Sequence, residues 1–405
     1  MNKRKYFTII FIFLLALISI VQVHNLLLFP YNRGFDNQDH IYYIDYLKKY
    51  QRFPLANEGW ELWQAPLYYL IGSLIGSLAG LRIIHFIAWI ILVVLFFYLL
   101  RKLIKNYFIV YIATLVLASL PVIFYSIPNI SNEFFSAVAI SCAMIYYCLN
   151  QKLETGRQKL ILGTLLGLAL LAKATAFILI VSLIIDQLFI CKGKLVRFLR
   201  QLLPVLFIVL VISGWFYIRN TVVFKNPFIA SIDFPQMAPK QKLNPRDLSF
   251  FINLKGFIKF DLFKAHHYSL IPGTYFSWFY DGHNNVVPVQ EYSKAGILLI
   301  IFSLPVFFIY LKGYFIGLKK ITDRNRFLLL YPLLLITSYI LYNIKIPDYS
   351  TVKGAFLISS IVPFGYFFAV GLKDWERFKT IITIYVFLYV MLIIKNFWII
   401  KGWYK

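Results

Sequence analysis

Long apolar runs, interrupted by short polar clusters, pattern almost the whole chain. A run of roughly 18 or more apolar residues is long enough to cross the hydrocarbon core of a bilayer as a helix. The pattern predicts spans near 7–29, 82–100, 107–126, 133–149, 159–172, 174–190, 201–219, 295–311, 327–343, 354–371 and 379–399, eleven in all. The first of them lacks a small-residue cleavage site and is too long for a signal-peptide core, so it reads as a retained signal anchor. The stretch "APLYYLIGSLIGSLAGL" is apolar but short, and it reads as a juxtamembrane or re-entrant helix. The expected fold class is an all-α polytopic membrane protein, a single helix bundle over residues 1–405. Two outer segments, 30–81 and 220–294, carry most of the polar material.

Composition agrees with a bilayer environment. Hydrophobic residues make up 60% of the chain and charged residues 14%, against about half and a quarter in soluble domains. The net charge of +24 raises nucleic acid as a partner, but the basic residues are not arranged for it. Six short clusters between spans, such as "RKLIK" at 101 and "CKGKLVRFLR" at 191, hold 21 of the 41 Lys and Arg and only four acids. With eleven spans, all six fall on one side. Positive loops stay cytoplasmic, so the N-terminus is expected inside a plasma membrane, with anionic membrane lipids as partners and no nucleic acid. Cys142, Cys148 and Cys191 lie in or at the end of apolar helices without metal-ligand spacing and read as core residues.

The opposite side then carries twelve of the 17 carboxylates, five of them between Asp36 and Glu61. If 36–50 is helical, Asp36, Asp39, His40, Tyr43 and Leu47 share a face. A plain reading makes Asp36 a helix cap. Asp45, Glu58 and Glu61 read as solvated rim residues. The histidines and acid of the long loop, His266, His267, Asp281 and His283, have no metal-ligand spacing and read as surface or acceptor-groove contacts.

Asp36, His40, Tyr43, "FP" at 53, "GW" at 59 and "QAPLYY" at 64 together resemble the first external loop of GT-C membrane glycosyltransferases, of the protein O-mannosyltransferase and aminoarabinose transferase type. "GTLLGLALLAKATAF" at 163, "WFYIRNTVVFKNPF" at 215 and "VKGAFLISSIVPF" at 352 resemble further stretches of that family in matching order. The chain departs from it at Asn37, where a glutamate is usual, at Ala65, and at Ala355-Phe356, where the family has Arg-Tyr. The resemblance implies transfer of a sugar from a polyprenyl-phosphate donor to a protein, lipid or glycan acceptor, with inversion. It makes Asp36 the general base. His40, Tyr43, Gln64 and Tyr68 become substrate contacts, with Trp60, Trp63 and Tyr69 as further surfaces for stacking on a sugar. Lys173, Arg219 and Lys353 are the candidate phosphate binders, each also readable as a snorkelling interface residue. Arg82 reads as an outer interface anchor. Glu133, at the outer start of a span, pairs with Asp36 as a candidate site for a divalent cation, Mg²⁺ or Mn²⁺; its plain reading is an ordinary helix N-terminal acid.

Two rival readings share the hydropathy pattern: a transporter or lipid flippase, and a non-catalytic envelope-assembly subunit. Transporters often carry repeated halves and ionisable residues near mid-bilayer, whereas here the acids concentrate in outer loops and no repeated halves are visible.

Overall fold

The computed structural model describes residues 3–237, 246–287 and 293–404, and every regular element among them is helical. Parts of the long 220–294 loop (238–245 and 288–292) lie outside the described residues.

The chain enters through α1 (Lys3–Leu28), then forms two short helices at one end of the bundle, α2 (Asn37–Tyr50) and α3 (Leu67–Ile75). The "APLYYLIGSLIGSLAGL" stretch is therefore split. Gly76, at φ 76°, stops α3, and Ser77 starts α4 (Leu78–Leu103) by accepting the Gly80 N–H at 3.0 Å. The expected 107–126 span is also two helices, α5 (Tyr107–Ala118) and α6 (Pro121–Ser126). Pro121 has no N–H to give a continuing helix, and it opens α6 instead.

From there the chain runs back and forth through α7 (Asn132–Leu149), α8 (Gly156–Ala172), α9 (Ala176–Ile190) and α10 (Leu195–Phe224). The α8 start is a capping box, in which Thr155 and Gln158 satisfy each other's backbone N–H groups. The long loop folds into four short helices, α11 (Leu248–Ile252), α12 (Lys255–Lys259), α13 (Ala265–Tyr268) and α14 (Leu270–Phe279). The bundle closes with α15 (Ser293–Lys319), α16 (Asp323–Lys345), α17 (Ile361–Gly371) and α18 (Lys379–Phe397).

By length and apolarity, eight segments among the described residues are able to cross a membrane, the stretch Tyr349–Gly371 counting as one; α5 and α9 are shorter apolar helices. The chain is a multi-pass membrane protein, and eight rather than the expected eleven segments meet the requirement outright. The difference comes from the Pro121 break and from helices of 17 and 15 residues at α8 and α9.

Packing inside the bundle uses small residues where helices touch. A Cβ placed on Gly313 of α15 would lie 1.8 Å from the Phe367 carbonyl oxygen of α17, and one on Gly371 would lie 2.0 Å from the Ile309 oxygen. Only glycine permits that approach, the usual means by which membrane helices gain van der Waals contact. Elsewhere a buried polar knot ties helices together: Asp186 of α9 takes hydrogen bonds from Tyr147 of α7 (2.6 Å) and the Arg326 Nε of α16 (2.7 Å).

Arg82 is not a lipid-interface anchor. It is 2% exposed, and its guanidinium donates to the carbonyls of Leu26, Phe29 and Pro30 while lying 4.0 Å from the Tyr31 ring centroid. It thereby satisfies carbonyls left over at the end of α1 and directs the chain toward α2.

Candidate functional site

A cavity of about 620 Å³ opens between α2, the loop before α3, the start of α7, the end of α8, α16 and the turn before α17. Asp36, His40, Glu61, Gln64, Glu133, Lys173 and Lys353 all line it, with Trp60 and Trp63 on its wall. Residues spread over more than 300 positions of sequence thus converge on one space. Tyr43, Tyr68 and Arg219 do not line it.

Asp36 precedes α2 in the left-handed region (φ 51°, ψ 23°) and makes no side-chain cap hydrogen bond. The cap reading therefore fails at the side chain. The carboxylate, half-exposed at 46%, instead points toward Lys353, whose Nζ lies 3.9 Å from its Oδ2. Lys353 is itself held tightly. On either side of it, the Val352 carbonyl contacts His283 Nε2 at 2.6 Å, and the Gly354 N–H donates to Ser277 Oγ at 2.6 Å. The long loop between α10 and α15 thus fixes the backbone that presents this lysine.

Lys173 follows the last residue of α8, and its backbone N–H still reaches the Ala169 carbonyl at 3.0 Å. Its ammonium pairs with Glu133 in the first turn of α7. Phe356 stands between the two lysines, its ring centroid 5.6 Å from Lys173 Nζ and 5.7 Å from Lys353 Nζ. Two cations thus lie near one aromatic ring, at a position where the family resemblance expects a tyrosine.

The face of α2 behind the cavity is aromatic. His40 Nδ1 contacts Tyr69 Oη at 2.8 Å, and Tyr69 stacks on Tyr43 with ring centroids 3.9 Å apart. Burial first, then Lys173 and Lys353, pull the His40 pKa down to about 3, so it is a neutral hydrogen-bonding group at physiological pH. Tyr43 donates to the Gln64 carbonyl at 3.3 Å, and Tyr68 packs on His85 beneath the site. Both are fully buried, so they support the wall without reaching its surface. Arg219, on α10, lies over the Phe216 ring and contacts Asn220.

Glu61 overturns the rim reading. It is 7% exposed and accepts a hydrogen bond from Gln64 Nε2 at 2.9 Å, and Gln64 Oε1 accepts one from Asn132 Nδ2 at 3.2 Å. Burial, reinforced by the negative charge of Asp36, pushes its pKa up to about 8. Asp45 and Glu58 stay peripheral: Asp45 sits near Lys48, and Glu58 pairs with Arg52 at 2.5 Å. The segment "GWELWQ" held the missed signal, an acid flanked by Trp60 and Leu62 with Trp63 just beyond.

Among the described residues no group of three or more His, Cys, Asp and Glu is placed to hold an ion. Asp36 and Glu133 each face an ammonium group. The long-loop histidines also serve packing. His266 stacks on His283 at 4.1 Å between ring centroids, and Asp281 accepts the N–H groups of Val286 and Val287.

This arrangement of helices is a known one. The chain has the fold of GT-C membrane glycosyltransferases. It aligns with a crystal structure of the Archaeoglobus fulgidus oligosaccharyltransferase, in complex with Zn and sulfate, at a TM-score of 0.54 and 16% identity over 95% of this chain. The chain spans about half of that structure, 53% of its length. ArnT from Cupriavidus metallidurans in the apo state also aligns, at a TM-score of 0.45 and 13% identity, over 93% of this chain and 78% of that one. No family model matches the sequence, and no curated protein sequence matches it significantly.

Proposed function

We propose that the protein is a glycosyltransferase that moves a sugar from a polyprenyl-phosphate-linked donor to a hydroxyl or amine acceptor, at the outer face of the plasma membrane. The observation that carries this reading is the convergence of one half-exposed carboxylate, Asp36, and two buried ammonium groups, Lys173 and Lys353, in one cavity at the end of a membrane bundle. A donor of this kind has a diphosphate-free, singly phosphorylated leaving group, so the reaction needs a base on the acceptor and positive charge on the departing phosphate.

Asp36 takes the acceptor proton as the acceptor oxygen or nitrogen bonds to the anomeric carbon. The bond from that carbon to the phosphate oxygen breaks, and its electron pair leaves with the lipid phosphate. Lys173 and Lys353 stabilise the charge that develops there, where low surrounding polarity strengthens the interaction. One displacement inverts the anomeric carbon. Trp60 and Trp63 supply aromatic surface for the sugar, and Glu61, protonated below about pH 8, donates a hydrogen bond from the cavity wall. The basic clusters between spans support an N-terminus on the cytoplasmic side, opposite the cavity.

The test uses the purified full chain reconstituted with a lipid extract carrying labelled polyprenyl-phosphate sugars. Release of free polyprenyl phosphate is followed for the wild type and Asp36→Asn. A fall of about 10²–10⁴-fold is expected from loss of the base. Undiminished release in a folded Asp36→Asn variant rejects the mechanism, and movement of intact donor across the membrane without cleavage favours a transporter.

A further inference from the structure

A second cavity, of about 1010 Å³, lies at the other end of the bundle. The helix α7 connects the two: Glu133, in its first turn, lines the first cavity, and Leu149, its last residue, lines the second. Sixteen residues of α-helix separate them, about 24 Å of rise. That is close to the thickness of a bilayer's hydrocarbon core, about 30 Å, so the second cavity sits at the opposite membrane interface.

Its lining divides into two halves. The lower half is apolar, with Leu95 of α4, Ile145 and Leu149 of α7 and Leu165 of α8. The upper half is cationic: Lys102 from the last turn of α4, Lys152 from the α7–α8 loop and Arg324 from the first turn of α16, against the single carboxylate of Glu154. Lys152 and Arg324 take part in none of the ion pairs among the described residues, and Lys102 rests over the Tyr98 ring at 5.3 Å. The loop that presents Lys152 is fixed. Leu153 is buried in the left-handed region (φ 47°), and Gln158 Nε2 donates to Asn150 Oδ1 at 3.0 Å.

Topology alone asks only that basic residues stay on this side; it does not ask them to ring a cavity with an apolar floor. The exposed face of α4 explains the floor. Ile87, Ile91, Val94 and Tyr98 form an outward stripe that leads to the lining residues Leu95 and Lys102. A hydrocarbon chain lying on that stripe would carry its headgroup in among the cations.

We propose that this cavity binds an anionic phospholipid, its phosphate held by Lys102, Lys152 and Arg324 and its acyl chains against the α4–α7 wall. The recognised chemistry is a phosphate anion. The apolar floor continuous with the lipid-facing stripe commits it to a lipid rather than to free phosphate.

The experiment uses the full chain purified in detergent and offered dioleoyl-phosphatidylglycerol or dioleoyl-phosphatidylcholine, with retained lipid counted by native mass spectrometry. Each cation near an anionic headgroup contributes about fivefold. With Glu154 opposing, the wild type is expected to favour phosphatidylglycerol about thirtyfold. The combined variant Lys102→Gln, Lys152→Gln, Arg324→Gln is expected to lose that preference. As a readout on the unmutated protein, alkylation of Cys142 and Cys148, which both line the cavity, should slow with phosphatidylglycerol and not with phosphatidylcholine. Equal retention of the two lipids by the wild type, an undiminished preference in a folded triple variant, or thiols left unprotected would each overturn the proposal. Displacement of the retained lipid by millimolar inorganic phosphate would reassign the site to the free anion.

Discussion

Replacing Glu61 by Gln tests whether the cavity wall carries a proton that the unfolded chain would release. The ordinary value for this carboxyl is 4.5, and the fold raises it to about 8, chiefly through burial and then through Asp36, with Glu133 adding and Gln64 and Lys173 opposing. Between those two values the folded protein holds a proton that the unfolded chain has lost. The contribution of Glu61 to stability therefore falls as pH rises through this window and levels off above it. Between pH 6 and pH 9 the difference in bound protons integrates to about two units, or about 2–3 kcal/mol at 1.36 kcal/mol per unit. His40, His266 and His283, lowered to about 3 to 4, are neutral in the folded protein but partly protonated near pH 6 in the unfolded chain, so they add stability as pH rises from 6; that contribution is the same in the variant and cancels in the comparison. Glutamine keeps the volume of Glu61 but has nothing to ionise. The assay is the thermal midpoint of detergent-purified protein from pH 6 to pH 9, for the wild type and Glu61→Gln. Relative to the variant, the midpoint of the wild type should fall by a few degrees over that range. Profiles that run parallel would refute the claim that Glu61 is protonated in the folded protein.

Other outcomes follow from the same geometry. Lys353→Met should lower the rate of sugar transfer about 10²-fold, because it removes one charge from the departing phosphate; single-turnover release of lipid phosphate measures it, and an unchanged rate would remove Lys353 from the reaction. Gly313→Val should collapse the yield of folded protein in a size-exclusion assay, since its side chain would overlap the Phe367 carbonyl; a monodisperse variant with the wild-type melting point would contradict the packing. Arg326→Gln should destabilise by about 3–5 kcal/mol, leaving Asp186 buried without its cation. Adding Asp186→Asn should recover part of that loss, and a double variant no more stable than the single would show that the pair is not coupled.

Much of the bundle was legible in apolar run length, because a bilayer fixes how long a spanning helix must be. Each of the eleven expected spans overlaps a helix or a pair of helices. The misreadings have local causes. Pro121 splits a run whose hydropathy is continuous, and hydropathy does not register a missing N–H. Arg82 looked like an interface residue because its partners are backbone carbonyls, which leave no trace in side-chain patterning. Asp36, Glu133, Lys173 and Lys353 were singled out from motif and topology, but which of them face each other depends on tertiary contacts over as many as 317 positions. Glu61 was placed wrongly because acids near loops are usually solvated, and only the walls around it reverse that rule.

The backbone at position 36 constrains descent as well as chemistry. A left-handed φ of 51° suits Asp, Asn or Gly, while other side chains incur about 1–2 kcal/mol there. Glutamate, the obvious chemical synonym for aspartate, is thus discouraged by the turn before its longer reach is even considered. The substitutions that leave the turn undisturbed are those that discard the acid, so a lineage drifting at this codon would keep its architecture while losing the carboxylate on which the proposed reaction depends.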